Sequence, residues 1–186
     1  MNDVDKACYR AFLNNEIQGF EQLVIKYKDH VIYFVRRYVN DIHIAEDVAQ
    51  DAFVDVYLYK ERYDFSSSFK TYLFTIARNK AVDYVRRNAK HMNQMVLEDM
   101  EVSDDEKTLE EKVITDEMQK MLHENIRKLK PEIQVLINLT YFEQMSGKEV
   151  AKILGMTEGQ VKVKLHRARK QLAEILGKDA YQMLIR

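Results

Sequence analysis

The stretch Ser146–Leu172, SGKEVAKILGMTEGQVKVKLHRARKQL, decides the fold of the C-terminal part of the chain. Two residue pairs in it have the spacing of a capping box, and each predicts the start of a helix: Ser146 with Glu149, and Thr157 with Gln160. Gly155 lies where the first helix must end, because glycine adopts the left-handed conformation at little cost. Two helices joined by so short a turn form a helix-turn-helix, whose second helix can enter the major groove of DNA.

Apolar residues at helical spacing predict which faces of these two helices are buried. They are Val150, Ile153 and Leu154 in the first helix, and Val161, Leu165, Ala168 and Leu172 in the second. The remaining face of the second helix is strongly basic and provides the candidate duplex contacts Gln160, Lys162, Val163, Lys164, His166, Arg167, Arg169 and Lys170. Lysine and arginine neutralise phosphates, whereas glutamine, arginine and the valine methyls can meet base edges. The alternative is a solvated basic face without a ligand.

The composition favours an all-α protein. One proline and five glycines among 186 residues are too few for the many turns of an all-β fold. No apolar run approaches the length of a membrane span, and the N-terminus lacks the apolar core of a signal peptide. Cys8 is the single cysteine and has no partner for an internal disulfide, so a reducing cytoplasm is the expected location, without insertion into a membrane.

The sequence contains no pattern that predicts catalysis. The five histidines are scattered, without the paired spacing of zinc ligands, so no metal site is expected. No glycine-rich phosphate loop and no Ser-His-Asp arrangement can be recognised. We therefore expect a protein that is not an enzyme and has no cofactor.

Charge is unevenly distributed along the chain, although the net charge is only −1. Residues 66–90 are basic, with six lysines and arginines against Asp83, whereas residues 98–111 are acidic, with eight carboxylates against Lys107. Residues 91–112 also lose the apolar periodicity of the flanking segments. The sequence thus predicts two small helical domains, 1–90 and 113–186, joined by an acidic flexible linker, 91–112.

Helical periodicity also gives the expected bounds of the other helices. They are 4–13, Ile17–Val39, His43–Lys60, Phe69–Asn88, Leu109–Leu129 and Pro131–Phe142. The outer face of the third carries Glu46, Asp47, Gln50 and Asp51, with Asp55 beyond them. An acidic helix face is often no more than a solvated surface, and the residues alone leave that open.

Between the third and fourth helices lies an aromatic and serine-rich loop, YDFSSSF, at residues 63–69. Aromatic, hydroxyl and basic side chains together suit a surface that accepts unstacked bases and holds a strand. Most of the aromatic residues are expected to be core, and Phe65 is the one predicted to be free of it. The candidate strand contacts are Ser66, Ser67, Ser68, Phe69, Lys70, Asn79, Asp83, Arg86 and Arg87.

With these segments assigned, the sequence resembles the extracytoplasmic-function (ECF) group of bacterial sigma factors. Four segments carry the resemblance in the order of the family: GFEQLVIKYKDHVIYFVRRYV at 19–39, IAEDVAQDAFVDVY at 44–57, SSSFKTYLFTIARNKAVDYVRR at 66–87, and LKPEIQ through RKQL at 129–172. The resemblance covers roughly residues 17–88 and 123–176. It implies a transcription initiation factor that binds core RNA polymerase and promoter DNA and helps to open the duplex.

The resemblance also implies a role for each surface. The acidic face of the third helix would contact polymerase through Asp47, Gln50 and Asp51. The serine loop would capture a flipped base of the minus-ten element near Asn79, with Arg86 and Arg87 on the adjacent backbone. The matching positions for the helix that recognises the minus-thirty-five element are Lys162, His166, Arg167 and Arg169. The acidic linker would thread a basic channel of polymerase, and an anti-sigma factor is implied as a partner.

The sequence departs from the family pattern at two places. The family often has threonine and serine where this chain has Gln160 and Val163, and glycine with a basic residue where it has Phe65 and Asp64. We expect these changes to alter promoter preference without altering the function. Two other classes remain open from the residues alone: a DNA-binding regulator that acts apart from polymerase, and a helical adaptor that binds only proteins.

Overall fold

The computed structural model describes residues 3–39, 41–98 and 125–184, and the side chains within 4–39, 41–88 and 125–174. All regular structure in these ranges is helical, which confirms the predicted all-α class for them. The N-terminal helices are α1 (Asp3–Leu13), α2 (Ile17–Val35), α3 (Ile42–Leu58) and α4 (Phe69–Glu98), with a 3-10 turn at Lys60–Arg62. The C-terminal helices are α5 (Pro131–Ile137), a π-helical turn at Asn138–Phe142, α6 (Gly147–Leu154) and α7 (Glu158–Leu184).

The N-terminal helices pack around the apolar stripe of α2. Its buried side chains include Leu23, Tyr27, Val31 and Phe34, as the periodicity predicts. The helix ends at Val35 instead of Val39, and residues 36–38 form a turn. The next helix begins at Ile42 because the Asp41 carboxylate accepts hydrogen bonds from the first free backbone N–H groups of α3.

The bounds of α4 differ from the prediction. The helix continues to Glu98, whereas the sequence predicted an end near Asn88, a domain boundary at residue 90 and a linker from residue 91. Residues 91–98 are helical because they contain no glycine or proline that would stop a helix already nucleated in the preceding residues. The rest of the predicted linker and residues 109–124 of the predicted helix 109–129 lie outside the described residues.

Local signals at the helix-turn-helix predicted its geometry correctly. Ser146 and Glu149 form a complete capping box, and Thr157 and Gln160 exchange the same pair of bonds, at 2.9 and 3.2 Å. Gly155 has φ 65° at the C-cap of α6, as its position between the two helices requires. The predicted apolar faces of both helices are buried or partly buried.

Gly19 marks the closest approach of α1 and α2. A Cβ at this position would overlap the carbonyl oxygen of Cys8 and lie 3.0 Å from the backbone nitrogen of Phe12. Because both are backbone atoms, Gly19→Ala would force α1 away from α2, and we expect it to lower the free energy of unfolding by about 1–3 kcal/mol. Urea denaturation measures this. Gly159→Ala is the matched control, since its nearest contact is a side-chain atom at 3.9 Å, and equal unfolding free energies for the two variants would contradict the packing.

The two helical domains contact each other directly. The helix α6 packs against the first turns of α4, and one continuous cluster of buried side chains includes residues from both domains. Leu73 and Phe74 of α4 belong to it, together with Val150 and Ile153 of α6. The arrangement places the helix-turn-helix beside the serine loop that precedes α4.

Candidate functional site

The outer face of α7 is exposed and basic, as predicted. Of the eight candidate residues, Lys164 is partly buried. The other seven are exposed: Gln160, Lys162, Val163, His166, Arg167, Arg169 and Lys170. Val163 is 51% exposed, so an apolar side chain lies among the cations on this face. Val161, Ala168 and Leu172 face the core and fix the rotation of the helix.

Three of these side chains are held by neighbours. Gln160 accepts the N–H of Thr157 in the cap of α7, Lys164 forms an ion pair with Glu132 at 3.1 Å, and Arg169 Nε donates to the hydroxyl of Tyr141 at 2.6 Å. Lys164 and Arg169 are thus positioned by α5 and the π-helical turn that follows it. Gln160 has a structural role in addition to any contact with a base.

The acidic face of α3 is also exposed. Glu46, Asp47, Gln50 and Asp51 project to solvent, while Ala45, Val48, Ala49 and Ala52 face the core. The same stripe continues with two exposed apolar residues that are not among the predicted contacts, Val54 at 45% and Leu58 at 64% exposure. Val54 and Leu58 follow Gln50 and Asp51 at intervals of about one or two helical turns, and this spacing could have predicted that the four residues share one face.

The serine loop is held by its aromatic residues. Phe65 has φ 59° and its ring contacts Tyr63, with 4.6 Å between centroids, and the guanidinium of Arg10. The prediction that Phe65 is free of the core was therefore wrong: the left-handed turn folds the ring back onto α1. The carboxylate of Asp64 accepts the backbone N–H of Ser66. Hydrogen bonds from the side chain and then the backbone of Ser66 lower the pKa of Asp64.

Phe69 is a core residue and not a surface one. It is 1% exposed and packs against Tyr9, Tyr27 and Tyr63. The prediction that Phe69 contacts the strand was wrong, because the aromatic cluster removes its ring from solvent. Its role is to anchor the end of the loop. Of the three serines Ser66 is exposed, whereas Ser67 and Ser68 are partly buried.

The candidate residues further along α4 lie on its open side. Asn79, Arg86 and Arg87 are exposed, and Asp83 accepts a hydrogen bond from Arg86 at 3.0 Å. A groove of about 580 Å³ between α3 and α4 brings Asn79, Asp83 and Arg87 close to Asp51. The predicted strand contacts of α4 and the predicted polymerase contacts of α3 are therefore neighbours in space.

Two carboxylates of the C-terminal domain, Glu143 and Glu149, contact the N-terminal domain near the serine loop and the start of α4. Glu143 pairs with Lys70 at 2.6 Å and with Nδ1 of His30 at 3.0 Å. Burial alone would raise the pKa of Glu143, but the hydrogen bonds from His30 and Lys70 outweigh it and hold that pKa below its usual range. The hydrogen bond between His30 and Glu143 raises the pKa of His30.

Glu149 makes the second contact. Its Oε1 accepts the hydroxyls of Ser68 and Thr71 at 2.9 and 3.0 Å, while Oε2 accepts the backbone N–H of Ser146 and completes the capping box. Burial would raise the pKa of Glu149, and the bonds from Ser146, Ser68 and Thr71 lower it by more. Both carboxylates are thus charged acceptors directed at the serine loop and the start of α4.

Within the described residues, no cluster of three histidine, cysteine or carboxylate side chains has the arrangement of a metal site. Across the same parts of the chain, no helix is both long enough and apolar enough to cross a membrane.

Comparison with known protein families gives two matches in chain order. Residues 23–91 match the model of sigma-70 region 2, and residues 119–172 match that of sigma-70 region 4. Together the two matches span well over half of the chain, and curated relatives of the ECF group align with most of it. The chain belongs to the ECF group of the sigma-70 family.

Among similar ECF factors are SigW of Bacillus subtilis, 29% identical over 85% of this chain and 89% of its own length, and the sigma-E factor of Haemophilus influenzae, 29% identical over 90% and 93%. The fold is similar to that of CnrH in complex with the cytosolic domain of CnrY, with a TM-score of 0.65, 23% identity, and coverage of 95% of this chain and 99% of that one. It also resembles the sigma factor RpoE of Bartonella quintana in complex with the anti-sigma factor NepR, with a TM-score of 0.67, 22% identity, and coverage of 86% and 98%.

Family membership gives the function of this ECF factor at the level of the whole chain. It is a transcription initiation factor that directs RNA polymerase to promoters, and its partners are core RNA polymerase and promoter DNA. Sigma factors as a family are not enzymes. The predicted architecture of two sigma domains is confirmed.

Proposed function

We propose that each exposed surface of this ECF factor has its own role. The acidic face of α3 docks on core polymerase, the serine loop and α4 hold the melted minus-ten element, and α7 contacts the minus-thirty-five element. The observation that carries this proposal is the separation of an acidic and a basic face on different helices, both exposed. In this account the chain itself makes and breaks no covalent bond.

The docking face combines charge with apolar area. Asp47 and Asp51 can steer the approach to a basic partner, and oppositely charged patches fix the register of docking. Val54 and Leu58 add exposed apolar surface along the same stripe, and apolar area removed from water on binding contributes affinity. A plain DNA-binding regulator has no need for such a face.

At the minus-ten element the chain must offset the cost of unstacking a base, which is a few kcal/mol. Ser66 is exposed at the loop, and hydroxyl groups can hydrogen-bond the edge of a base that has left the stack. Arg86 and Arg87 are exposed on α4 and supply charge for the adjacent backbone. Phe69 supports the loop from the core.

On α7, Lys162, Arg167 and Lys170 provide phosphate neutralisation, and Arg167 can also donate to a guanine edge. Val163 offers methyl groups to a thymine methyl. We expect Val163→Ser to change the base preferred at one position of the minus-thirty-five element by about tenfold, within the range of about 1–3 kcal/mol for one base contact. Selection of promoters from a library randomised in this element, using the holoenzyme, measures the change.

Gln160→Ala is the informative companion of this variant. Since Gln160 caps α7, we expect that substitution to lower stability by about 1 kcal/mol and to affect preference less than Val163→Ser. Identical preferences for the Val163→Ser variant and the parent protein would remove Val163 from the contact set.

Location and regulation belong to the same proposal. We place the protein in the cytoplasm, where its polymerase partner is, and infer that an anti-sigma protein binds it. The support is the similarity of the fold to that of RpoE of Bartonella quintana, whose structure was solved in complex with the anti-sigma factor NepR. Isolation of the tagged protein before and after induction of the genes that it transcribes tests whether such a partner is bound. A stoichiometric protein partner lost on induction supports the inference, and its absence in both states contradicts it.

Photocrosslinking in the assembled holoenzyme tests the assignment of surfaces. A photoreactive phenylalanine analogue replaces Gln50, Ser66 or Val163, each of which is exposed. We expect the three positions to react with polymerase, with the non-template strand at the minus-ten element and with duplex at the minus-thirty-five element, respectively. Glu21, exposed on α2, is the control position. Reaction of position 50 with DNA, or of position 66 with the upstream duplex, would overturn the assignment.

A further inference from the structure

Two exposed arginines lie over aromatic rings at the serine loop. The guanidinium carbon of Arg62 is 3.8 Å from the centroid of the Tyr59 ring, and that of Arg10 is 5.4 Å from the centroid of Phe65. Arg62 immediately precedes the loop, and Phe65 lies within it. Neither guanidinium forms a hydrogen bond or an ion pair with another residue in the described part of the chain. The N–H donors of both arginines are therefore available to a ligand.

The helix α1 holds the Arg10–Phe65 pair in place. The hydroxyl of Tyr9 donates to the carbonyl oxygen of Lys60 at 2.8 Å, and the centroid of the Tyr9 ring is 5.9 Å from that of Phe65. Phe65 has φ 59°, which is unfavourable for a residue with a bulky side chain. A conformation of this kind persists only where the surrounding packing outweighs its cost. The pair is thus arranged before any ligand binds.

Neither pair belongs to the surfaces assigned so far. Arg10 precedes residues 23–91, the part of the chain that matches sigma-70 region 2. Tyr59 is 44% exposed where α3 ends, and Arg62 is exposed in the 3-10 turn that follows. The two pairs therefore extend the surface of the serine loop toward α1 and the end of α3.

The local charge favours a base over a phosphate at these pairs. Glu61 and Asp64 are exposed in the same turn and loop and offset two of the three cations, which are Arg10, Lys60 and Arg62. The attraction for a phosphate is weak where charges of both signs are interspersed. A base, in contrast, stacks on an aromatic ring or a guanidinium plane through its π face. A planar guanidinium that rests on a ring with one face offers its other face to a base.

We propose that the Arg62–Tyr59 and Arg10–Phe65 pairs are stacking sites for unstacked bases of the melted strand, beside the base that the serine loop captures. This rests on the proposed function of the serine loop. Stacking accepts every base, since each has a π face. The two pairs therefore add affinity for the opened promoter without adding sequence preference.

The test compares arginine with lysine in the assembled holoenzyme. Arg10→Lys with Arg62→Lys keeps both charges and removes the planar guanidinium, which a stacking site requires and a phosphate site does not. The probe is a promoter duplex with a pre-melted minus-ten element, so that unpaired bases are present without the cost of opening. We expect the Kd of this probe to rise about tenfold for the double variant. The slope of log affinity against log salt should stay the same, because no phosphate contact is lost.

Abasic nucleotides in the probe identify the bases that stack. Each unpaired nucleotide of the non-template strand is replaced in turn by one that lacks its base. We expect positions at which the abasic probe weakens binding by the parent protein but hardly weakens it further for the double variant, since the same contact is already missing. A purely structural role of the arginines would instead give the variant an equal loss on intact and abasic probes.

Arg36→Lys is the matched control. It makes the same exchange in the turn after α2, and we expect it to leave the Kd unchanged. All variants should have the melting temperature of the parent protein in circular dichroism, since Arg10 and Arg62 are exposed and Arg36 is only partly buried.

Each other result overturns the stacking sites. An unchanged Kd for the lysine variant shows that no base stacks on these pairs, and a lower salt slope for Arg10→Ala with Arg62→Ala would then assign them to phosphates. An equal loss on intact and abasic probes leaves the arginines only a structural role. In these cases crosslinking of position 66 to the non-template strand still supports the proposed function. If that crosslink also fails and no abasic position weakens binding by the parent protein, the strand site of the serine loop is lost together with the stacking sites.

Discussion

Replacing both Asp47 and Asp51 with lysine is expected to reduce transcription from a dependent promoter by about 100-fold or more. The two residues lie one turn apart on the exposed face of α3. Like charges brought together at an interface cost several kcal/mol, and about 2.7 kcal/mol already corresponds to a factor of about 100 in affinity. Run-off transcription with increasing amounts of the variant measures the loss.

A charge-matched control separates docking from net charge. Glu21→Lys with Glu61→Lys makes the same change in charge at exposed positions outside the acidic face of α3, and we expect near-normal transcription from it. Both variants should melt at the temperature of the parent protein in circular dichroism, since none of the four side chains is buried. Full activity of the Asp47/Asp51 variant would show that this face does not bind polymerase.

Replacing Arg167 and Lys170 with alanine is expected to weaken holoenzyme binding to the minus-thirty-five duplex by about 100-fold. Arg167 is proposed to make base and phosphate contacts worth about 1–3 kcal/mol, and each lost phosphate contact also reduces the slope of log affinity against log salt by about one. Binding of promoter duplex measured at several salt concentrations therefore gives two independent readouts for the same variant.

The matched control removes two cations from the same domain at a different face. Lys128 and Lys130 are exposed just before α5, and their replacement by alanine should change affinity little and leave the salt slope nearly unchanged. An equal loss for both double variants would mean that only net charge matters. In that case α7 is a solvated basic face, the alternative that the sequence left open.

The helix-turn-helix was predictable because its signals are local. Ser146, Glu149, Gly155 and Thr157 each act within four residues of their own position, and the structure has the corresponding caps and turn. The exposure of the acidic face of α3 was equally predictable, since it follows from the apolar residues on the opposite side of the same helix. The roles expected of these faces came from the resemblance to the ECF group.

The errors concern residues whose environment depends on distant parts of the chain. Phe65 and Phe69 looked available for a ligand, but α1 supplies Tyr9 and Arg10, which cover them. The contact between the domains was not predictable either. The sequence shows Glu149 as a capping residue, and nothing near it in the chain reveals a bond to Ser68, 81 residues away. Non-local pairs of this kind become visible only in the folded structure.

Transcription in vitro with core polymerase and fragmented genomic DNA, followed by sequencing of RNA 5′ ends with and without the protein, tests the central claim most directly. We expect starts that appear only with the protein and that share two spaced upstream elements. The absence of new starts, together with tight binding of duplex by the protein alone, would contradict the account and indicate a regulator that acts apart from polymerase.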